Sequence, residues 1–174
     1  MTTHSSPAEE AVELAYNYLG LPYVFAGGDL EGPTQGGFDR AGFMRHVVYA
    51  ASGTDIGRTL DAQLDHCTRL SAGEIAQPGD ILFWTSPGRF QRVDGQALYT
   101  GMMTVIALIP EYLATPGAQF DTRMVAPVSG TVFYEQSVDI DLITAKPPVG
   151  RDKPELIIAR PPYSDTAKMG GRAT

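Results

Sequence analysis

Apolar residues in the first third of the chain recur at helical spacing. Ala11, Val12, Leu14, Ala15, Tyr18 and Leu19 form one stripe. Ser6-Pro7-Ala8-Glu9 ahead of it reads as a capping box with proline at the first helical position, and Gly20 stops the helix. A second helix runs through Phe43, Val47, Val48 and Ala51, with Asp39 as its N-cap and Ser52-Gly53 as its end. A short third helix is expected from Thr59 to about Arg69.

The period changes after the turn Gln77-Pro78-Gly79-Asp80, which launches a strand at Ile81-Leu82-Phe83-Trp84. Leu98 to Leu108 reads as one long β run broken only by Gly101. Arg123 to Pro127 and Gly130 to Glu135 predict a hairpin across Val128-Ser129-Gly130, and Asp139 to Thr144 adds one more strand. Helices first and strands afterwards is the α+β pattern, with N-terminal helices packed on an antiparallel sheet.

From Ala145 prolines become dense: Lys146-Pro147-Pro148, Lys153-Pro154 and Arg160-Pro161-Pro162 surround one apolar patch, Leu156-Ile157-Ile158-Ala159. Residues 1–144 are therefore read as one domain and residues 145–174 as an extended proline-rich arm. Such an arm is either a loose tail or a segment that orders against another protein of an assembly. On either reading, deleting it leaves the thermal transition of the domain within a few degrees.

Composition narrows the partners. The chain has 174 residues, 43% hydrophobic and 19% charged, with 13 basic against 20 acidic side chains and a net charge of -7. No basic run is present, so nucleic acid is not an expected partner. No apolar run reaches the roughly 20 residues that span a bilayer, so no membrane insertion is expected. Met1 to Pro7 lacks the basic and apolar regions of a signal peptide, which predicts a protein that is cytoplasmic when made.

Chemistry-bearing side chains are few. Cys67 reads as a small semi-buried apolar residue, and its neighbour His66 points about 100° away on a helix, so the two form no dyad. His46 reads as a single satisfied histidine. Asp61, Asp65 and His66 read as a solvated helix face and not as a metal site, and Asp139 and Asp141 as residues facing water. Gly27-Gly28 lacks the spaced glycines and lysine of a phosphate loop. No cofactor is expected.

The most informative stretch is Gly20-Leu21-Pro22-Tyr23-Val24-Phe25-Ala26-Gly27-Gly28, followed by Gly37-Phe38-Asp39-Arg40-Ala41-Gly42-Phe43. Paired glycines run through a loop into an apolar helix, placing one side chain at the helix N-terminus. That position suits an anionic nucleophile. Arg40 occupies it.

These segments resemble the NlpC/P60 cell-wall peptidases, in which they read roughly LGxPYxWGG and FDCSGL. Gln63, Gln77-Pro78-Gly79-Asp80-Ile81-Leu82-Phe83, Tyr99-Thr100-Gly101-Met102 and Met124-Val125-Ala126-Pro127 fall in the family's order, so the resemblance covers about Ala8 to Glu135. It implies a papain-like fold that cleaves peptidoglycan stem peptides with a cysteine, a histidine base and an orienting polar residue. The matching positions here are Arg40, Tyr99 and Val125, so the resemblance is to a degenerate member. Family members hold a substrate amine and carboxylate near the groove, which by position points to Tyr23 and Asp39, with Arg40 able to meet a carboxylate. The alternative for Arg40 is an internal ion pair with Asp39 or another acid.

Three functions follow. The first is a non-catalytic structural or interaction protein, in a cell-wall-penetrating assembly such as a bacteriophage tail tip and incorporated there into a virion. The second is a stem-peptide binding module without hydrolysis. The third is an active peptidase with an atypical site.

Overall fold

A computed structural model describes residues 5–86, 92–122, 130–149 and 153–163. Helix α1 (Pro7–Tyr16) starts on the expected capping box: Ser6 accepts from the Glu9 N–H, and the Glu9 side chain takes the Ser6 N–H. It buries Ala11, Val12 and Ala15. Helix α2 (Arg40–Ser52) is capped by Asp39 and ends at Gly53, whose φ of 78° is the left-handed conformation that glycine favours at a helix C-terminus. Helix α3 (Leu60–Asp65) follows the Thr59 cap and is shorter than expected, because the chain turns at His66 into β1 (Thr68–Arg69).

Four longer strands continue the chain: β2 (Ile81–Ser86), β3 (Arg92–Tyr99), β4 (Thr104–Pro110) and β5 (Thr131–Ser137). The long β run expected from Leu98 to Leu108 is a hairpin, folded at residues 100–103 so that Leu98 pairs with Ile106. Gly101 makes the turn with φ of 93° while packed against Pro78, where a Cβ would lie 2.4 Å from that ring. The expected strand at Asp139 to Thr144 is a series of turns, in which Asp139 accepts from the Leu142 N–H. The expected strand at Arg123 to Pro127 lies outside the described residues.

The largest correction concerns the presumed arm. Glu155–Arg160 forms β6, and the sheet order is β1-β6-β2-β3-β4-β5 with every neighbouring pair antiparallel. The proline-flanked patch Leu156 to Ala159 is therefore a strand, paired with β2 along its length and with β1 at its C-terminal end, with Ile158 and Ala159 almost fully buried. Its chain ends are fastened as well. Arg160 makes a two-pronged bond to Asp80 (2.8 and 2.9 Å), a carboxylate with 1% of its surface exposed, and the Tyr163 hydroxyl donates to Gly79. Proline density misled here because the prolines bracket the strand and leave its ladder donors intact.

Two apolar clusters cover the two faces of the sheet. The helices pack on one face against Phe83, Leu98, Ile106, Leu108 and Phe133. Leu82, Trp84, Ala97, Tyr99, Val105 and Ala107 point to the other face, where Phe120, Val138 and Ile143 cover them. No helix among the described residues is long and apolar enough to cross a membrane.

A peripheral ion pair gives a direct pH test of one surface contact. Arg45 bonds both oxygens of Asp55 (2.9 Å each), and this contact holds the Asp55 carboxyl down at about 2. Because its folded value is depressed, its small stabilisation is present above the ordinary carboxylate range and disappears as pH falls through about 2. In a carboxyl NMR titration, Arg45→Ala is expected to return Asp55 towards 3.8.

Candidate functional site

The site is built around the start of α2. The residues before it are fastened by backbone bonds from Val24 to Phe38 (2.9 Å), Gly27 to Val24 (2.8 Å) and Asp39 to Gly27 (3.1 Å). Tyr23 bonds through its N–H to Thr131 of β5 (3.0 Å), so this loop is stitched across the sheet edge. His46 is buried within the same construction: one ring nitrogen meets the Tyr18 hydroxyl and the other the Leu30 carbonyl, both at 2.8 Å. It acts as a brace, in accord with its reading from sequence.

Arg40 occupies the first position of α2, as the motif spacing predicts. It is half-buried, and its guanidinium donates to the Asp94 backbone carbonyl of β3. Burial pulls its pKa below the ordinary value, while Asp94, Tyr23 and Asp39 pull it the other way. Asp39 does not serve Arg40 directly. One of its oxygens caps Gly42 (2.6 Å), and both accept from Arg58 at 3.1 and 2.8 Å. Of the acids open to Arg40 on the ion-pair alternative, Asp39 is taken by Arg58, which arrives from the loop before α3 with its donors facing the carboxylate. A ligand-holding role for Asp39 requires displacing Arg58.

Tyr99 is not brought to this site. Its side chain is buried in the cluster on the far face of the sheet, with its hydroxyl directed at the Met103 sulfur (3.7 Å). The residue on β3 that shares a cavity with Arg40 is Gln96, only 3% exposed. Gln96 donates to the Gln63 Oε1 (2.9 Å), and the Gln63 amide nitrogen donates to Ala41 and Gly57. That chain fixes both amides, and it leaves the Gln96 Oε1 buried without a partner among the described residues. Gln63, one of the motif landmarks, therefore ties the start of α2 to β3. Val125 lies outside the described residues. Continuing the β3–β4 register by one same-face pair sets Leu108 opposite Gln96, and Leu108 lines the same cavity.

The cavity measures about 10 Å³, the lower limit for one water molecule. Its three central side chains supply a cation, a neutral amide and an alkyl group. None is a nucleophile or a general base at neutral pH. Elsewhere, burial pushes the Cys67 thiol up to about 12, which keeps it protonated, and Asp61 accepts from the Val93 N–H (3.1 Å).

Comparison with solved structures gives this arrangement its place. The NlpC/p60 domain of the peptidoglycan hydrolase SagA superposes with a TM-score of 0.55 at 27% identity, covering 87% of this chain and 97% of that one. This chain has the NlpC/P60 fold. RipD of Mycobacterium tuberculosis, described as a non-catalytic NlpC/p60 domain protein adapted to peptidoglycan binding, superposes with a TM-score of 0.56 at 18% identity, covering 90% and 98%. Over 74 residues the chain is 42% identical to Protein P54 of Enterococcus faecium, a match covering 42% of this chain and 13% of that protein. Over 70 residues it is 40% identical to a probable endopeptidase p60 of Listeria innocua, covering 40% and 14%. The chain thus corresponds to a small part of either curated relative. No protein-family model matches it.

Within the NlpC/P60 fold, sequence reasoning placed the start of α2 correctly and took the wrong residue on β3. Gln96 and Tyr99 are three positions apart, an odd number, so they face opposite sides of the sheet. A readable signal was present: Gln96 is the polar residue that directly precedes the apolar run Ala97-Leu98-Tyr99.

Proposed function

We propose that this chain is a non-catalytic NlpC/P60 domain whose role is to interact and not to hydrolyse. The observation that supports this most directly is that Arg40, at the start of α2, lines one small cavity with Gln96. Peptide hydrolysis by this fold needs an attacking group and a proton acceptor, and a guanidinium and an amide are neither. RipD provides a solved non-catalytic precedent for the fold. The setting we propose is a cell-wall-penetrating assembly, such as a bacteriophage tail tip, in which the domain is a structural component. With β6 part of the sheet, our reading puts the partner surface on the domain itself.

A second reading, a peptidoglycan stem-peptide binder, is favoured by the likeness to RipD, a non-catalytic NlpC/p60 domain protein adapted to peptidoglycan binding. Two measurements test these readings together. The natural chain and Arg40→Cys are both expected to release no product from a wall tetrapeptide, because the cysteine would face an amide. Turnover by either would overturn the non-catalytic reading. Co-sedimentation with insoluble peptidoglycan at two salt concentrations separates the other two: salt-resistant binding competed by stem peptide selects the binder, and its absence selects the structural component.

A further inference from the structure

On β5, alternate residues point their backbone groups away from β4, to the edge of the sheet. The Thr131 carbonyl accepts from Tyr23 (3.0 Å). Phe133 donates to Leu21 (3.0 Å) and accepts from Gly20 (2.7 Å), and Ser137 donates to Ala118 (2.8 Å) and accepts from Phe120 (2.9 Å). Glu135 belongs to the same series, yet its N–H and C=O have no partner among the described residues. Segments 20–23 and 118–120 cover the edge on either side and leave a gap of one residue.

An open cavity of about 260 Å³ lies at this gap, lined among others by Leu19, Thr104, Gly117, Tyr134, Glu135 and Ser137. The Glu135 carboxylate is held there. Its Oε2 accepts from the Tyr16 hydroxyl and the Thr104 hydroxyl, both at 2.6 Å, and its Oε1 has no partner among the described residues. A donor, a backbone acceptor and a fixed anionic oxygen therefore converge on one notch, and Arg40 is not among the residues that line it.

We propose that this notch takes one residue of an extended peptide in antiparallel pairing, and that this residue carries a positively charged side chain. The gap between Phe133 and Ser137 spans about 13 Å, room for roughly three residues, of which the central one pairs. A residue that exchanges both backbone bonds with Glu135 sets its own side chain on the same face as the carboxylate, with Cα atoms about 5.5 Å apart. A lysine or arginine there meets Oε1, whereas an acidic residue is repelled. The chain's net charge of -7 favours approach of the same partner. Backbone pairing supplies attachment, and the Glu135 carboxylate supplies selectivity.

The test titrates the isotope-labelled chain with acetyl-Ala-Lys-Ala-amide and with the same tripeptide carrying norleucine or glutamate at its centre. The lysine peptide is expected to shift the Glu135 amide resonance saturably and to bind about five-fold tighter than the norleucine peptide. Glu135→Gln is expected to bring those two peptides within about two-fold of each other. Tyr16→Phe, which keeps the charge, is expected to retain the preference. No saturable shift at Glu135 with any peptide up to about 10 mM, or equal binding of lysine and norleucine peptides to the natural chain, overturns the proposal. The peptide series on the natural chain decides the matter even if Glu135→Gln does not fold. Neither outcome depends on Arg40 or on the presence of hydrolysis.

Discussion

Removal of residues 146–174 is expected to abolish cooperative thermal unfolding, or to lower the midpoint by well over 10 °C. The segment contains β6, which lies between β1 and β2 and pairs with both. Its loss strips one edge of β2 and leaves β1 without its sheet partner. Ile157 and Ile158, 7% and 2% exposed, each contribute roughly 2–3 kcal/mol of burial. Tyr163, another buried side chain, is lost with them. Losing Arg160 also takes the two-pronged partner from the buried Asp80 carboxylate, which keeps only the Gln77 N–H (2.8 Å). The sum is comparable to the whole stability of an average domain, about 5–15 kcal/mol. Circular dichroism melting of the truncated chain decides it. A midpoint within a few degrees of the full chain would mean that the strand is dispensable, and the segment would again read as an arm for a partner.

Gly42→Ala is expected to destabilise the fold although it replaces glycine by the best helix former. Propensity alone favours alanine by about 1 kcal/mol. Packing opposes it, since the new Cβ would lie 2.2 Å from the Gly27 carbonyl oxygen and 2.9 Å from the capping oxygen of Asp39. The obstacle is backbone held by two bonds, Gly27 to Val24 and Asp39 to Gly27, so it cannot yield as a flexible side chain would. Relief requires moving the loop or giving up the cap. Overpacking of this kind costs about 1–3 kcal/mol or more, and loss of a cap about 1 kcal/mol in addition. A net loss of about 1–3 kcal/mol lowers the midpoint by roughly 2–12 °C in a chain of this size. An unchanged or raised midpoint would show that the Gly27 turn moves freely, and the rigid mounting of Arg40 would then be abandoned.

These two positions mark the division between what is local and what is not. The α+β class, both N-terminal helices, the Asp39 cap and the location of Arg40 at the head of α2 were legible in the sequence. Each depends on contacts only a few residues apart: a capping side chain bonds an N–H three positions away, and a stripe repeats every turn. The Gly27 and Gly42 pair was legible as a motif, although its reason, one backbone pressed on another, appears only in three dimensions.

The tertiary structure alone decided three things. It chose Gln96 over Tyr99 as the neighbour of Arg40, because facing in a strand is set by register and reverses with every residue. It chose Arg58 as the partner of Asp39, because an ion pair forms where the fold brings donors together and not where residues adjoin in sequence. It also turned the proline-flanked segment into β6. Antiparallel pairing between residues about seventy apart leaves no periodic trace in either strand, so no local pattern distinguishes a buried strand between prolines from an extended arm.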